Sequence, residues 1–513
     1  MISYMISKRK AGGFLISAAF MLLSVVFAVW GMQEDADPVC FPLAATLLLI
    51  ANAAICMDAY EKHILFLAFQ GTFFLFLVGG PLLEAMAGTS YYHAFSPVIA
   101  QKTQFCYYLS AFTMWIYQLC HMKNIHYHFG RLPAVRRSGA APEQDRLIQI
   151  RVISRAAAYV ALAAFSLQSL EKIVFRQSYS LQAYYAHYVS HLPGIVNKMG
   201  DCYLIAFFLY LATMPGKREA RLPVLCYLAA SLLTILYGVR NVAVLNLVFL
   251  LIYAVYRNRT GEVWLSKKAM ALGIAVIPFA IVILQALDYF RRNVGFSLSE
   301  IREIFSFDLI REFFVSQSVS TEILANAMTY EDILGGQPVP YTFGTLYTYI
   351  KQNMVVRMIT GEAAYTANSV QAALHSGNLG SRLAYHMYPV TYLQGVGMGG
   401  SYVADLYVDW SYPGIFMGTL LLCSLLEKIM RCASEEHVYL TALLFVSVRW
   451  LVYLPRDSCF SWAMQTFSIM NLLFLLLVWG IVRLRLLENL MVKKNAKNRK
   501  YHSRSGHLCE GSK

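Results

Sequence analysis

Ionisable side chains are scarce in this chain, and those set against long apolar runs are the first places to look for chemistry. A charge at membrane depth is expensive and marks a functional site by default. Arg240 stands in the turn Tyr237-Gly-Val-Arg-Asn241. Arg291 and Arg292 follow an apolar run directly. Arg382 lies in Gly380-Ser-Arg-Leu-Ala-Tyr-His386. Arg456 and Asp457 form a short turn, with Arg449 one to two helical turns before it. A guanidinium is a rigid planar fork that matches phosphate oxygens two at a time. Several such forks around one cavity would hold a pyrophosphate at headgroup level.

Carboxylates supply the complementary chemistry. The glycine-rich run from Gly395 to Gly414 carries Asp405 and Asp409, whose i,i+4 spacing shares one face of a helix. Its glycines allow close backbone approach or an exposed amide nest. No strand precedes it, so it is not a dinucleotide fingerprint. A carboxylate here, or His386 or His375, would take a proton from a sugar hydroxyl. Tyr402 and the many tyrosines before it suit stacking on sugar rings or anchoring at an interface. Gly414 and Gly418 form a GxxxG pair, read as close helix packing. His187 and His191 stand four apart, but no third ligand lies near, so they read as interfacial histidines rather than a metal site.

These residues need a scaffold, and the composition says which. Of 513 residues, 58% are hydrophobic and 14% charged. So few charges cannot solvate several soluble domains, and so much apolar surface excludes disorder. A bilayer needs about 20 apolar residues per helix. Twelve stretches qualify, near 14–31, 39–57, 64–83, 104–122, 152–170, 199–214, 222–238, 242–256, 269–287, 411–430, 438–454 and 461–482. The reading is an all-α polytopic integral membrane protein of about 12 transmembrane helices. Most Lys and Arg then fall on alternate connections and the tail, which places both termini in the cytoplasm. The formal charge of +14 is therefore an orientation signal, and it does not imply nucleic acid. The first apolar run lacks a cleavage site and reads as a retained anchor. The cysteines include no C-x-x-C pair and read as packing residues.

The chain divides into transmembrane helices one to nine (1–287), a large extracytoplasmic loop (288–410), helices ten to twelve (411–482) and a basic cytoplasmic tail (483–513). A loop this long without a role is uncommon. Ile301–Phe314 and Ser320–Met328 show helical periodicity, so it reads as a folded cap of short amphipathic helices.

Taken together, these motifs resemble the O-antigen polysaccharide polymerases, the Wzy family. Tyr237-Gly-Val-Arg-Asn241 is similar to that family's glycine-serine-arginine-glycine turn. Arg291 or Arg292 matches its arginine after the next span. Phe313-Phe-Val-Ser-Gln-Ser-Val-Ser-Thr321 resembles its loop motif, with Gln317 and Ser320 as the substrate-binding pair. Gly397-Met-Gly-Gly-Ser-Tyr-Val-Ala-Asp405 resembles its glycine-rich segment ending in an acid, and Leu454-Pro-Arg-Asp-Ser458 its late arginine turn. Val239 and Asn241 stand where Ser and Gly are usual, Asp405 where Glu is expected, and Ser411 where Gly is expected.

The resemblance implies a GT-C-like glycosyltransferase in the bacterial cytoplasmic (inner) membrane, with its active site outside. It would be inverting, need no cofactor, metal or nucleotide sugar, and move a growing glycan from undecaprenyl pyrophosphate onto an incoming lipid-linked repeat unit. Arg240, Arg291, Arg292, Arg382, Asp405 and His386 are the expected catalytic residues. Gln317, Ser320, Asp409, Arg456 and Tyr402 are the expected substrate contacts. The expected partners are the undecaprenyl-pyrophosphate-linked oligosaccharide, the lipid bilayer, and flippase and chain-length regulator proteins. An O-antigen ligase shares this chemistry and differs in acceptor. A lipid-linked oligosaccharide transporter would show paired repeats and midplane charges, and neither is evident. A non-catalytic assembly partner leaves the arginines unexplained.

Overall fold

Backbone amides in lipid have only one another to bond, so long apolar runs fold as helices. A computed structural model describes residues 2–33, 36–121, 141–179, 183–184, 187–266, 268–273, 307–434 and 436–484, and every regular element among them is helical. Nine of these helices are long and apolar enough to cross a membrane, ten if one bent pair counts as a single span.

The long helices run in chain order. They begin with α1 (Ile2–Gly31), α2 (Cys40–Met57), α3 (Tyr60–Met86), α4 (Pro97–His121) and α5 (Ala141–Ser178). The bent pair follows as α6 (Gly194–Asp201) and α7 (Tyr203–Ala212), which meet at 42°. Next come α8 (Lys217–Leu236) and α9 (Arg240–Arg259). The expected stretch 104–122 is α4, which is long enough but not apolar enough to pass as a span. Its Thr103, Ser110, Thr113 and Gln118 are buried against other helices rather than facing lipid. The expected stretch 269–287 lies outside the described residues except at its start.

Short helices replace long ones from residue 307. They are α10 (Phe307–Gln317), α11 (Thr321–Thr329), α12 (Tyr341–Lys351), α13 (Met354–Thr360), α14 (Val370–His375), α15 (Leu379–Met387) and α16 (Pro389–Leu393). Membrane-length helices resume with α17 (Tyr402–Cys432), α18 (Val438–Tyr453) and α19 (Ser461–Leu484).

α7 sits at the centre, where Ile205 to Ala212 are wholly inaccessible. A helix that is apolar all round belongs inside a bundle. α3 touches α2, α9, α17 and α18. Thr72 on α3 donates to the Val452 carbonyl on α18 at 2.6 Å. Between Phe74 and Val78, α3 widens into a π-helical turn. Such bulges occur often at functional sites, and this one faces the cap. Gly80 N–H donates to Ser318 Oγ at 3.1 Å, and a side chain at Gly80 would lie 2.5 Å from that oxygen.

α17 breaks at Trp410 and Ser411. Ser411 has φ 54° and ψ −148°, a glycine region. A non-glycine residue there costs about 1–3 kcal/mol, and this is the position where the resemblance leads one to expect glycine. Beyond the break, Gly414 and Gly418 do pack closely, but against Leu406 of the same helix. A Cβ on either glycine would lie 2.5 Å from a Leu406 atom.

Candidate functional site

The connection between α18 and α19 is seven residues long, and its chemistry follows from its first three. Pro455 cannot continue the helical ladder, so Leu454–Arg456 forms a single 3-10 turn. That turn throws Arg456 sideways over the Phe76 ring, 5.5 Å from its centroid. Arg456 Nη1 donates to Gln317 Oε1 at 3.2 Å and to the Gln317 carbonyl at 3.4 Å. It does not pair with the adjacent Asp457, and no carboxylate among the described residues reaches it. A half-buried guanidinium held by neutral groups keeps its charge available to an anion.

Asp457 closes the turn by accepting from Ser458 N–H at 2.8 Å. Burial pushes its carboxyl up to about 6, against the hydrogen bonds from Ser461 and Ser458. Cys459 N–H donates to Asp405 Oδ2 at 3.0 Å. Asp405 itself is sealed in, with 1% of its surface exposed. Asp409, one helical turn on, accepts from Tyr341 N–H at 2.9 Å and from Thr342 N–H at 2.7 Å. The Thr342 hydroxyl adds a third bond at 2.6 Å. Asp409 thus satisfies the first amides of α12, where a helix favours negative charge. Tyr341, between these carboxylates and Arg382, has its phenol pushed up to about 12, first by burial.

The glycine-rich segment runs between these pieces. A Cβ at Gly400 would lie 2.7 Å from Ser458 N and 2.8 Å from Asp457 C, so only glycine admits this approach. Gly399 takes φ +84° and faces the buried Ser320 hydroxyl, which has no hydrogen-bond partner among the described residues. Asn378 ties α15 to the turn through Ser458 Oγ at 3.3 Å.

A family model for O-antigen polysaccharide polymerase Wzy matches residues 14–489. The chain belongs to that family. No curated protein and no solved structure matches it.

Six of the expected Wzy site residues therefore gather around one turn: Arg456, Gln317, Ser320, Asp405, Asp409 and Tyr402. Their parts differ. The Tyr402 phenol is buried and shares a 2.8 Å hydrogen bond with Ser110. Arg382 donates to the carbonyls of Ile333 at 2.7 Å and Gly335 at 2.8 Å, pinning the turn before α12. Arg240 opens α9, half-buried, and Asn241 beside it lies within hydrogen-bonding reach of the Tyr453 phenol. His386 is exposed and packs on Tyr330, with ring centroids 5.2 Å apart; His375 is also exposed. Arg291 and Arg292 lie outside the described residues.

One contributor escapes a reading of the sequence. Gly79 and Gly80 form the seat for Phe314 and Ser318, and only the Gly-Gly-Pro spelling hints at it. Asp457 stands next to Arg456 in sequence as an ion partner would, whereas it accepts from Ser458 N–H and Arg456 turns to Gln317. Arg449 is buried with Nε bonded to Asn246 Oδ1 at 2.7 Å, a cation within the bundle that meets no carboxylate among the described residues. Among the described residues, no three His, Cys, Asp or Glu side chains come together as a metal ion would need.

Proposed function

We propose that this Wzy-family chain polymerises lipid-linked oligosaccharide repeat units at the turn between α18 and α19, on the outer face of the bacterial cytoplasmic membrane. The observation that carries this is Arg456, free of carboxylate partners among the described residues and held by Gln317 on the turn that carries the half-buried Asp457 and bonds the buried Asp405.

The acceptor sugar hydroxyl attacks the anomeric carbon of the donor glycan. The new carbon–oxygen bond forms as the bond to the polyprenyl diphosphate breaks, and the diphosphate leaves with the electron pair. Arg456 stabilises the charge that develops on it, and Arg240 at the head of α9 supports the same charge. The hydroxyl proton passes to Asp457, whose raised pKa makes it a stronger base than an ordinary carboxylate while leaving it ionised near neutrality. Asp405 holds the turn through Cys459, and Asp409 and Arg382 hold the cap around it. Single displacement inverts the anomeric centre, and no nucleotide sugar takes part.

Purified protein incubated with lipid-linked repeat units and no nucleotide sugar should build a ladder of oligomers. A protein that leaves the units unextended, yet moves them across a vesicle membrane, would be a transporter instead. Transfer to lipid A core without self-extension would mark a ligase.

A further inference from the structure

A large cavity lies beside the site among the described residues. It measures about 570 Å³, within the range of small-molecule sites. Its walls are Leu406, Trp410, Met417, Leu421, Phe460 and Trp462 with their neighbours, nearly all apolar. The break at Trp410–Ser411 shapes it, turning the second half of α17 back so that Gly414 and Gly418 lie against Leu406 and both halves line the cavity. Trp410, Met417 and Leu421 stay exposed, so the cavity opens sideways at the level of the lipid. From Pro413 to Leu425 it follows α17 for roughly 18 Å at about 1.5 Å per residue.

Its upper end adjoins the site. Leu454 and Cys459 line it, and both belong to the turn that carries Arg456 and Asp457. Thr342 also lines it, and Thr342 is held by Asp409. An occupant must therefore be a long apolar chain lying in the membrane with a polar head that ends among these residues.

We propose that this groove seats the polyprenyl chain of the donor substrate. The inference rests on the polymerase reading and adds a site for the tail. The choice of donor over acceptor follows from bond positions. The donor's diphosphate is attached to the carbon under attack, so its tail begins at the reaction centre. The acceptor's hydroxyl is separated from its own lipid by the whole repeat unit, so its tail lies elsewhere. The lateral opening then gives the spent polyprenyl diphosphate a way out into the bilayer without crossing the cap.

The test uses the full chain in nanodiscs. A polyprenyl diphosphate with a photoreactive group on an early isoprene should label the α17 stretch around Met417 and Leu421. Unlabelled undecaprenyl diphosphate should displace it, and equal phosphatidylglycerol should not. In turnover, Met417→Trp and Leu421→Trp should raise KM for a long-tailed donor blocked at its terminal hydroxyl. The expected rise is about tenfold, as when a side chain displaces part of a ligand from an apolar pocket. The KM for acceptor and the kcat should hold, a geranyl-tailed donor should show no difference, and Leu440→Trp on α18 should be silent. Displacement by phosphatidylglycerol, labelling confined to other helices, or an unchanged donor KM in both variants overturns the proposal. If the wild type builds no polymer, the polymerase reading fails, and the labelling still decides the groove.

Discussion

Gly400→Ala isolates the contribution of backbone placement, because it removes no functional group. The added methyl would lie 2.7 Å from Ser458 N and 2.8 Å from Asp457 C, where ordinary contact begins at 3.4 Å. Both neighbours are backbone, so rotation of a side chain cannot relieve them. The turn must retreat by ~0.7 Å, carrying Arg456 and Asp457 with it. A misplacement of this size costs on the order of 10²-fold in rate, with overpacking adding about 1–3 kcal/mol of destabilisation. Gly397→Ala is the matched control, since nothing lies within 4 Å of a Cβ there. Initial rates of ladder formation by the two purified variants, on equal amounts of folded protein, give the comparison. If Gly400→Ala elongates as fast as Gly397→Ala, the turn is not where the chemistry happens.

The other expectations can be checked with the same preparation. Arg456→Ala should lose on the order of 10²–10³ in kcat, and Arg456→Lys should not restore it, because a point charge lacks the fork; Arg240→Ala and Arg382→Ala should also abolish ladders while the protein still inserts. With Asp457 as base, the wild-type rate should climb as pH rises through about 6, and Asp457→Asn should lose that limb; a limb that persists assigns the proton elsewhere. Stability should run the other way. A carboxyl whose folded pKa is raised favours the protonated fold, so wild-type stability falls as pH rises from about 4 through 6. Asp457→Asn should therefore melt higher than wild type above that range and equally below it. Ser411→Gly should raise the melting temperature, worth about 1 kcal/mol of relieved strain, with the kink and activity kept; a lower melting temperature would mean that φ 54° is not strained.

The membrane helices were legible because lipid enforces one rule over about 20 residues at a time. α4 shows where that rule weakens. A helix surrounded by other helices keeps Ser110 and Thr113 for internal bonding, and its apolarity falls below that of a lipid-facing neighbour. In the site, Arg456, Gln317 and Asp405 were legible as residue types set in suggestive spellings. Their assignments were not. Asp409 looks like a ligand contact in sequence, yet the amides of α12 occupy it, and nothing local in 402–409 announces a partner 68 residues away. Arg382 looks like a phosphate fork, yet two carbonyls take its donors. The Ser411 departure from glycine makes sense only with a backbone angle attached.

The seat at Gly80, the Ser318 joint, the Gly400 crossing and the Asp457 turn come from four widely separated parts of the chain. Their order along it has a consequence for biogenesis. The cap and the first part of α17 leave the ribosome before the turn that completes them. At synthesis rates of about 5–20 residues per second, the cap waits several seconds for that turn to insert. A nascent chain halted before α18 has the cap but neither Arg456 nor Asp457. With the turn as the proposed site, catalytic competence is deferred until the last hairpin is in the bilayer, and a stalled or truncated chain would not consume carrier lipid.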